Sequence, residues 1–238
     1  MSNLSSKSIY ILGISIFLGL SSVGYFLVEG VKTYKQFDRS VTVKGLSQKE
    51  FKANIVLWPI KFAVASNDLN DLNKQIESNK KTIIEFLKEN GIMEDEWTIP
   101  APSINDKLAN SYSNENMRFR YSANQTINVY SKNVELVRSA ILNISTLNKK
   151  GILFRVNDYD SKAQYFFTNL NEVKPIMIEE ATRKAREVAL KFAKDSNSKL
   201  GKIKKARQGQ FSISSRDQNT QHIKRVRVVS TVEYYLDD

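Results

Sequence analysis

Few residues in this chain of 238 have the types and spacing that chemistry demands. The one histidine, His222, closes the polar run Asp217-Gln-Asn-Thr-Gln-His222. A lone imidazole in such a run reads as a solvated side chain rather than a general base or metal ligand. Cysteine is absent, which removes thiolate nucleophiles, disulfides and Cys-based metal sites and leaves the redox compartment open. The acidic pairs Glu94–Glu96 and Glu179–Glu180 fall at a predicted helix-to-strand turn and on a helix's outer face, where carboxylates are normally solvated. Asp158 and Asp160 flank Tyr159 in a predicted turn, a setting that favours Asp for backbone reasons; calcium would need more oxygen ligands than lie nearby. No HExxH, GxSxG or Walker-type glycine loop is present. The sequence therefore offers no catalytic residue, cofactor site or metal site and no evident small-molecule substrate, and it reads as a non-enzyme.

Charge is the strongest chemical signal. The net charge is +11, and much of the excess gathers after Lys199, at Lys202, Lys204, Lys205, Arg207, Arg216, Lys224, Arg225 and Arg227. Two C-terminal strands would project several of these onto a shared surface. Such a surface suits anionic lipid, an acidic wall polymer or nucleic acid, or else simply keeps the domain soluble. Aromatic residues among the cations are sparse (Phe211, Tyr234 and Tyr235), so the stacking strand of an RNA reader is not seen and nucleic acid is disfavoured. The candidate anion-binding residues are Lys202, Lys204, Lys205, Arg207, Lys224, Arg225 and Arg227.

The elements that must position these residues mix two periodicities. Arg118–Tyr130 alternates strictly, with Phe119, Tyr121, Ala123, Gln125, Ile127 and Val129 on one face, which predicts a half-buried strand. The last segment repeats the pattern with Val226, Val228, Ser230, Val232, Tyr234 and Leu236 inward. Further strands are predicted at Val41–Lys44, Phe51–Val64, Trp97–Ser103, Gly151–Asp158, Tyr165–Thr168 and Ile203–Ser212, with Pro59 marking an edge or bulge. Three helices separate them. One covers Asp68–Asn90, with Leu69, Leu72, Ile76, Ile83 and Leu87 inward and Gly91 as its stop. A second covers Lys132–Asn148, capped by Ser131. The third covers Glu172–Lys199, with Asn171 as cap, Pro175 in the first turn, and Met177, Ala181, Ala185, Val188, Ala189 and Phe192 buried. The expected architecture is α+β, a mixed or antiparallel sheet with helices packed on one face.

Ahead of this domain, Ile9–Val28 carries no charge, and twenty helical residues span about 30 Å, the thickness of a bilayer's hydrocarbon core. The stretch is longer than the apolar region of most cleaved secretory signals, and no convincing small-x-small cleavage site follows Val28. An uncleaved anchor is the preferred reading and a cleaved signal the alternative. The organisation is then a tail over 1–8, a transmembrane anchor over 9–28, a polar connector over 29–40 and the α+β domain over 41–238. Ser15 and Gly19 form a small-xxx-small pair on the anchor. Lys32, Lys35, Arg39 and Lys44 follow the helix and would place the domain in the cytoplasm by the positive-inside rule. The short tail bearing Lys7 resembles the charged start of an export signal, so charge leaves the side open.

Three segments, Val41-Thr-Val-Lys-Gly45, then Phe119-Arg-Tyr-Ser-Ala-Asn124 with Thr126-Ile-Asn-Val129, then Ala181-Thr-Arg-Lys-Ala185 through Ser198-Lys-Leu-Gly201-Lys-Ile203, resemble in that order the SIMPL-domain family of bacterial periplasmic immunogenic and oxidative-stress-defence-like proteins. Val41-Thr-Val-Lys-Gly45 is similar to its I-x-V-x-G opening. Phe119-Arg-Tyr-Ser-Ala-Asn124 with Thr126-Ile-Asn-Val129 is similar to its G-Y-x-A-x-N-x-V-x-V strand. Ala181-Thr-Arg-Lys-Ala185 through Ser198-Lys-Leu-Gly201-Lys-Ile203 is similar to its third helix and exit. The chain departs from the pattern at Ala53-Asn54, where the family often has Pro-Asp, and near Asn197, where a Gly is expected. The resemblance implies an exported α+β domain on the periplasmic side of a bacterial inner membrane. It also implies self-assembly into a homo-oligomer and a part in stress resistance or envelope maintenance, with no catalytic residue to carry over.

Overall fold

The structure is a computed structural model that describes residues 6–37, 39–109, 118–152, 154 and 161–237, with the side chains of the first helix described over 10–30. The predicted turn Asp158-Tyr159-Asp160 and most of the predicted strand Gly151–Asp158 lie outside these residues; of that strand, Phe154 makes an antiparallel bridge to Phe62. The described chain is α+β. Helix α1 (Ser6–Phe37) leads into strands β1 (Ser40–Lys52) and β2 (Ile55–Ser66), then helix α2 (Leu69–Glu89). Strands β3 (Trp97–Thr98), β4 (Ser103–Asp106) and β5 (Tyr121–Ser131) follow, then helices α3 (Val134–Leu142) and α4 (Ser145–Lys149). Strand β6 (Gln164–Phe166), helix α5 (Leu170–Asp195) and strands β7 (Lys199–Gln208), β8 (Ser212–Ser215) and β9 (Ile223–Asp237) complete the order. One sheet runs β1-β9-β7 with β8 beside β9; the other runs β3-β5-β2-β6 with β4 beside β5.

The chain divides into two compact units, one of Met1–Ser47, Pro175–Phe211 and Arg227–Asp238, the other of Gln48–Lys174 and Ser212–Val226. The second unit is built on the β2–β5 ladder, antiparallel from Val56↔Ser131 to Ser66↔Tyr121. The alternation read in β5 is present: Ala123, Gln125, Ile127 and Val129 are buried, and Asn124 and Tyr130 are exposed. Helices α2 and α3 pack on β2, and Trp58, Ile60, Phe62, Ile83, Leu87, Ile127 and Val137 form one core. Each such side chain stabilises the fold by roughly 1.5–3 kcal/mol on burial. Among the described residues β6 pairs only with Ile55–Leu57, so Pro59 stands where β2 has β5 alone beside it, as its missing N–H requires.

Helix boundaries follow capping chemistry. The Asp68 carboxylate accepts from the Asn70 and Asp71 N–H groups, at 2.6 and 3.2 Å, and starts α2. Gly91, at φ +79, follows its end. The long second helix predicted from Lys132 is instead two. Asn133, not Ser131, caps α3 through the Leu136 N–H, and the chain breaks at Asn143 before α4. The Ser131 hydroxyl is engaged elsewhere, donating to Glu96 (2.5 Å) and accepting from the Asn133 N–H (2.9 Å). Helix α5 begins before the predicted Asn171, so Pro175 lies beyond the first turn, where it cannot donate to the Asn171 carbonyl.

In the first unit α5 lays an alanine stripe on the sheet. Met177, Ala181, Ala185 and Ala189 are fully buried, and Val43, Val232 and Tyr234 pack with Ala185 and Ala189. Val188 and Phe192, expected inside, are exposed at 37% and 54%; the stripe continues through Ala193 instead. Gly45 makes this contact possible, because a Cβ there would lie 1.8 Å from the Ala181 carbonyl oxygen and 2.5 Å from the Ala185 nitrogen. After α5, Asn197 takes a left-handed conformation, φ 53, and the Ser198 N–H closes on the Ala193 carbonyl at 2.8 Å. Asn is the side chain that best replaces glycine in that conformation.

Candidate functional site

Two features are the candidates for function, the helix α1 and the cations of β7 and β9. In α1, Tyr10–Gly30 has a mean hydropathy of 2.1, and none of it is buried in the protein. Its 21 residues rise about 31 Å, enough to cross a bilayer's hydrocarbon core. The hydroxyls of Ser15 and Ser22 donate to the Ile11 and Leu18 carbonyls, at 2.9 and 2.8 Å, so neither enters an apolar medium unsatisfied. Length and composition suit a membrane anchor or a signal sequence.

The structure sorts the seven candidate cations. Lys205 lies opposite Glu233 and Arg207 opposite Thr231 in the antiparallel β7–β9 register, so all four side chains share the outer sheet face. With Thr42 they line a shallow hollow of about 210 Å³. Arg227 is exposed on β9, in phase with Thr231 and Glu233. Among the described residues Lys205, Arg207 and Arg227 have no ion-pair partner. Lys204 differs, being paired with Glu233 at 3.4 Å and set over the Tyr235 ring. Hydrogen bonds from Ser40 and Lys204 hold the Glu233 carboxyl below its ordinary pKa. Lys202 lies along a different, larger groove.

Lys224 and Arg225 belong to the second unit and are half-buried. Lys224 donates to the Ser215 hydroxyl at 2.9 Å, and burial lowers its pKa. Arg225 and Arg216 both reach Glu50, at 3.9 and 3.6 Å, and Arg216 also pairs with Asp217 at 3.1 Å. The Asp217 carboxyl, bonded by the Thr220 hydroxyl and by Arg216, is held well below the usual carboxylate range. Glu50 carries no signal in the sequence because its partners Arg216 and Arg225 lie far along the chain, and the tertiary geometry that joins them is not local. His222 is also not simply solvated. Its carbonyl accepts the Ala53 N–H at 2.7 Å, and its ring meets Tyr165 edge-on, centroids 6.1 Å apart. Burial, and then nearby Arg138, push its pKa down.

Three of the four residues in the acidic pairs make structural contacts. Glu96 accepts from Ser131 and from the Met93 N–H, and Glu94 lies 3.6 Å from Lys88. Glu180 accepts from buried Ser47 at 2.9 Å and pairs with Lys184 at 2.7 Å. Among the described residues no group of three His, Asp or Glu side chains is placed to hold a metal ion.

An α+β domain with an alanine-lined helix seated on a glycine of its first strand, behind an apolar N-terminal helix, is the class defined so far. The family model of the SIMPL proteins, described as "Protein of unknown function (DUF541)", matches residues 41–233, and the chain belongs to that family. No curated protein matches the chain.

Proposed function

We propose that this chain is a single-pass, membrane-anchored SIMPL protein of the bacterial inner membrane, with its domain on the periplasmic side. In this reading it is non-enzymatic, self-associates, and contributes to stress resistance or envelope maintenance. The observation that carries the reading is α1: a predominantly apolar span of 21 residues, none of it buried in the protein, with the Ser15 and Ser22 hydroxyls satisfied within the helix. A soluble domain gains nothing from such a helix, whereas a bilayer stabilises it. If copies associate, their anchors converge on one membrane patch and the tether becomes multivalent. Extraction of membranes at high pH tests the anchor: the full-length chain stays in the pellet, and release to the supernatant refutes tethering. The mass of the chain in detergent tests assembly, since a particle holding a single 27.2 kDa protomer at every concentration refutes it.

A second reading is favoured by the hollow at Lys205 and Arg207. There the outer face of β7 and β9 is a binding surface for anionic lipid or an acidic wall polymer, with Arg227 adding to its field. Such binding weakens steeply with salt, and salt-independent retention on an acidic polymer refutes it.

A further inference from the structure

A large hollow of the first unit lies between one flank of α5 and the edge strand β7. Its volume is about 700 Å³, inside the range of roughly 300–1,000 Å³ typical of small-ligand sites. On the helix its wall includes Glu179, Arg183 and Arg186, spaced so that they share a flank. On the sheet it is formed by Lys202 and Ile203 of β7 and by Tyr234 of β9. The groove has a clear structural origin. Gly45 lets α5 settle onto β1 through small alanine side chains. On the β7 side the helix presents long charged residues, and Ile203 is left 50% exposed.

Strand β7 is irregular at this point. Leu200 pairs with Leu236 and Ile203 with Tyr234, so Gly201 and Lys202 together oppose the single residue Tyr235. Such a bulge twists the strand and re-aims its side chains, and Lys202 thereby joins the groove. Space at Gly201 is tight, since a Cβ would lie 3.1 Å from the Tyr235 carbonyl oxygen and 2.9 Å from an Asp237 carboxylate oxygen.

The groove's charge is unbalanced. Three cations line it against the one carboxylate of Glu179, and Arg183 is already paired with Glu187 at 2.8 Å. Among the described residues Arg186 and Lys202 have no ion-pair partner. Two uncommitted cations above an aliphatic and aromatic floor complement one ligand chemistry. We propose that this groove binds a free small organic anion with an apolar body, its carboxylate or phosphate held by Arg186 and Lys202 and its alkyl or aryl part lying on Ile203 and Tyr234. The arginine supplies a planar fork and the lysine a point charge, a pairing suited to either head group.

Octanoate is a suitable probe, titrated calorimetrically into the full-length chain held in zwitterionic nanodiscs, with empty nanodiscs as the blank. Octanoate is expected to saturate one site, and octanol and octyltrimethylammonium to show no saturable binding. Arg186→Glu and Lys202→Glu should each weaken octanoate binding about tenfold or more, the factor expected for losing a charge-assisted hydrogen bond. Ile203→Asp should do the same by removing the apolar floor, Arg186→Lys should retain most of the affinity, and Lys132→Glu, at an exposed lysine of the second unit, should leave it unchanged. Absence of saturable octanoate binding would overturn the proposal. Octanol binding as tightly as octanoate would overturn it too, as would equal losses from Lys132→Glu and Arg186→Glu.

Discussion

Gly45→Ala adds the Cβ that meets the closest neighbour at any of the nine glycines. The added methyl carbon would stand 1.8 Å from the Ala181 carbonyl oxygen, 2.5 Å from the Ala185 nitrogen and 2.9 Å from the Ala181 carbonyl carbon. All three are backbone atoms of α5, so no rotamer can relieve the contact. To reach ordinary van der Waals distance the helix must retreat by roughly 1 Å or more, and a retreat on that scale forfeits much of the dispersion contact along its buried face. Met177, Ala181, Ala185 and Ala189 are all fully buried on that face. Overpacking typically costs about 1–3 kcal/mol; the loss of the alanine stripe adds to it, giving an expected total of about 3–5 kcal/mol. With a urea dependence of about 2 kcal/mol per molar, the unfolding midpoint of the first unit falls by about 1.5–2.5 M. The assay is urea unfolding by far-UV circular dichroism of the nanodisc-held chain, with amide exchange read over Ala181–Ala189. Gly19→Ala is the control, because nothing lies within 4 Å of that position. A Gly45→Ala protein with wild-type midpoint and wild-type protection over α5 would refute the reasoning.

Three further outcomes are expected. His222 is the only histidine, and its imidazole is held below the ordinary value. The unfolded chain therefore binds the proton more readily, and stability should fall as pH drops from about 8 to about 5.5; His222→Gln should flatten that fall in urea midpoints, and an unchanged slope would count against the assignment. Asn54 donates to Thr168 Oγ1 and Asn169 Oδ1 and accepts from the Thr168 N–H, each at 2.8 Å, so Asn54→Ala should cost about 1–2 kcal/mol, read by the fluorescence of Trp58 and Trp97 in the second unit's core. Replacing Lys205 and Arg207 by Gln should lower the salt at which the nanodisc-held chain elutes from dextran sulfate, while Lys204→Gln, whose cation already faces Glu233 at 3.4 Å, should move it less; equal shifts would contradict the outer-face assignment.

What the sequence made legible was local. Asp68 before an apolar stripe, Gly91 after it, and the period-two runs of β5 and β9 each encode their element within a dozen residues, and each is present. The apolar N-terminal helix was legible because it needs only length and a scarcity of charge. The errors arose where tertiary contacts decide. Asn143 ends α3 while its side chain donates to Asn90, a residue of another helix's cap. Val188 and Phe192 fit an apolar stripe, yet the close seat on Gly45 is taken by Ala181 and Ala185, and these two larger side chains are exposed. The cations after Lys199 were visible as a cluster, but not their sorting. Whether Lys204 or Lys205 is neutralised depends on the β7–β9 register and its bulges. The groove at Arg186 and Lys202 was invisible for the same reason, because its two walls are joined only by packing.

The central claim, a membrane-tethered domain facing away from the cytoplasm, is most directly tested by cysteine accessibility, for which a chain without native cysteine is well suited. Single substitutions Ser2→Cys and Gln208→Cys place one thiol before α1 and one at the exposed end of β7. In intact bacterial cells a maleimide that cannot cross the inner membrane should label membrane-fraction Gln208→Cys protein, and Ser2→Cys protein only after that membrane is permeabilised. Labelling of Ser2→Cys with protection of Gln208→Cys, or recovery of the full-length chain in the soluble fraction, would contradict the account.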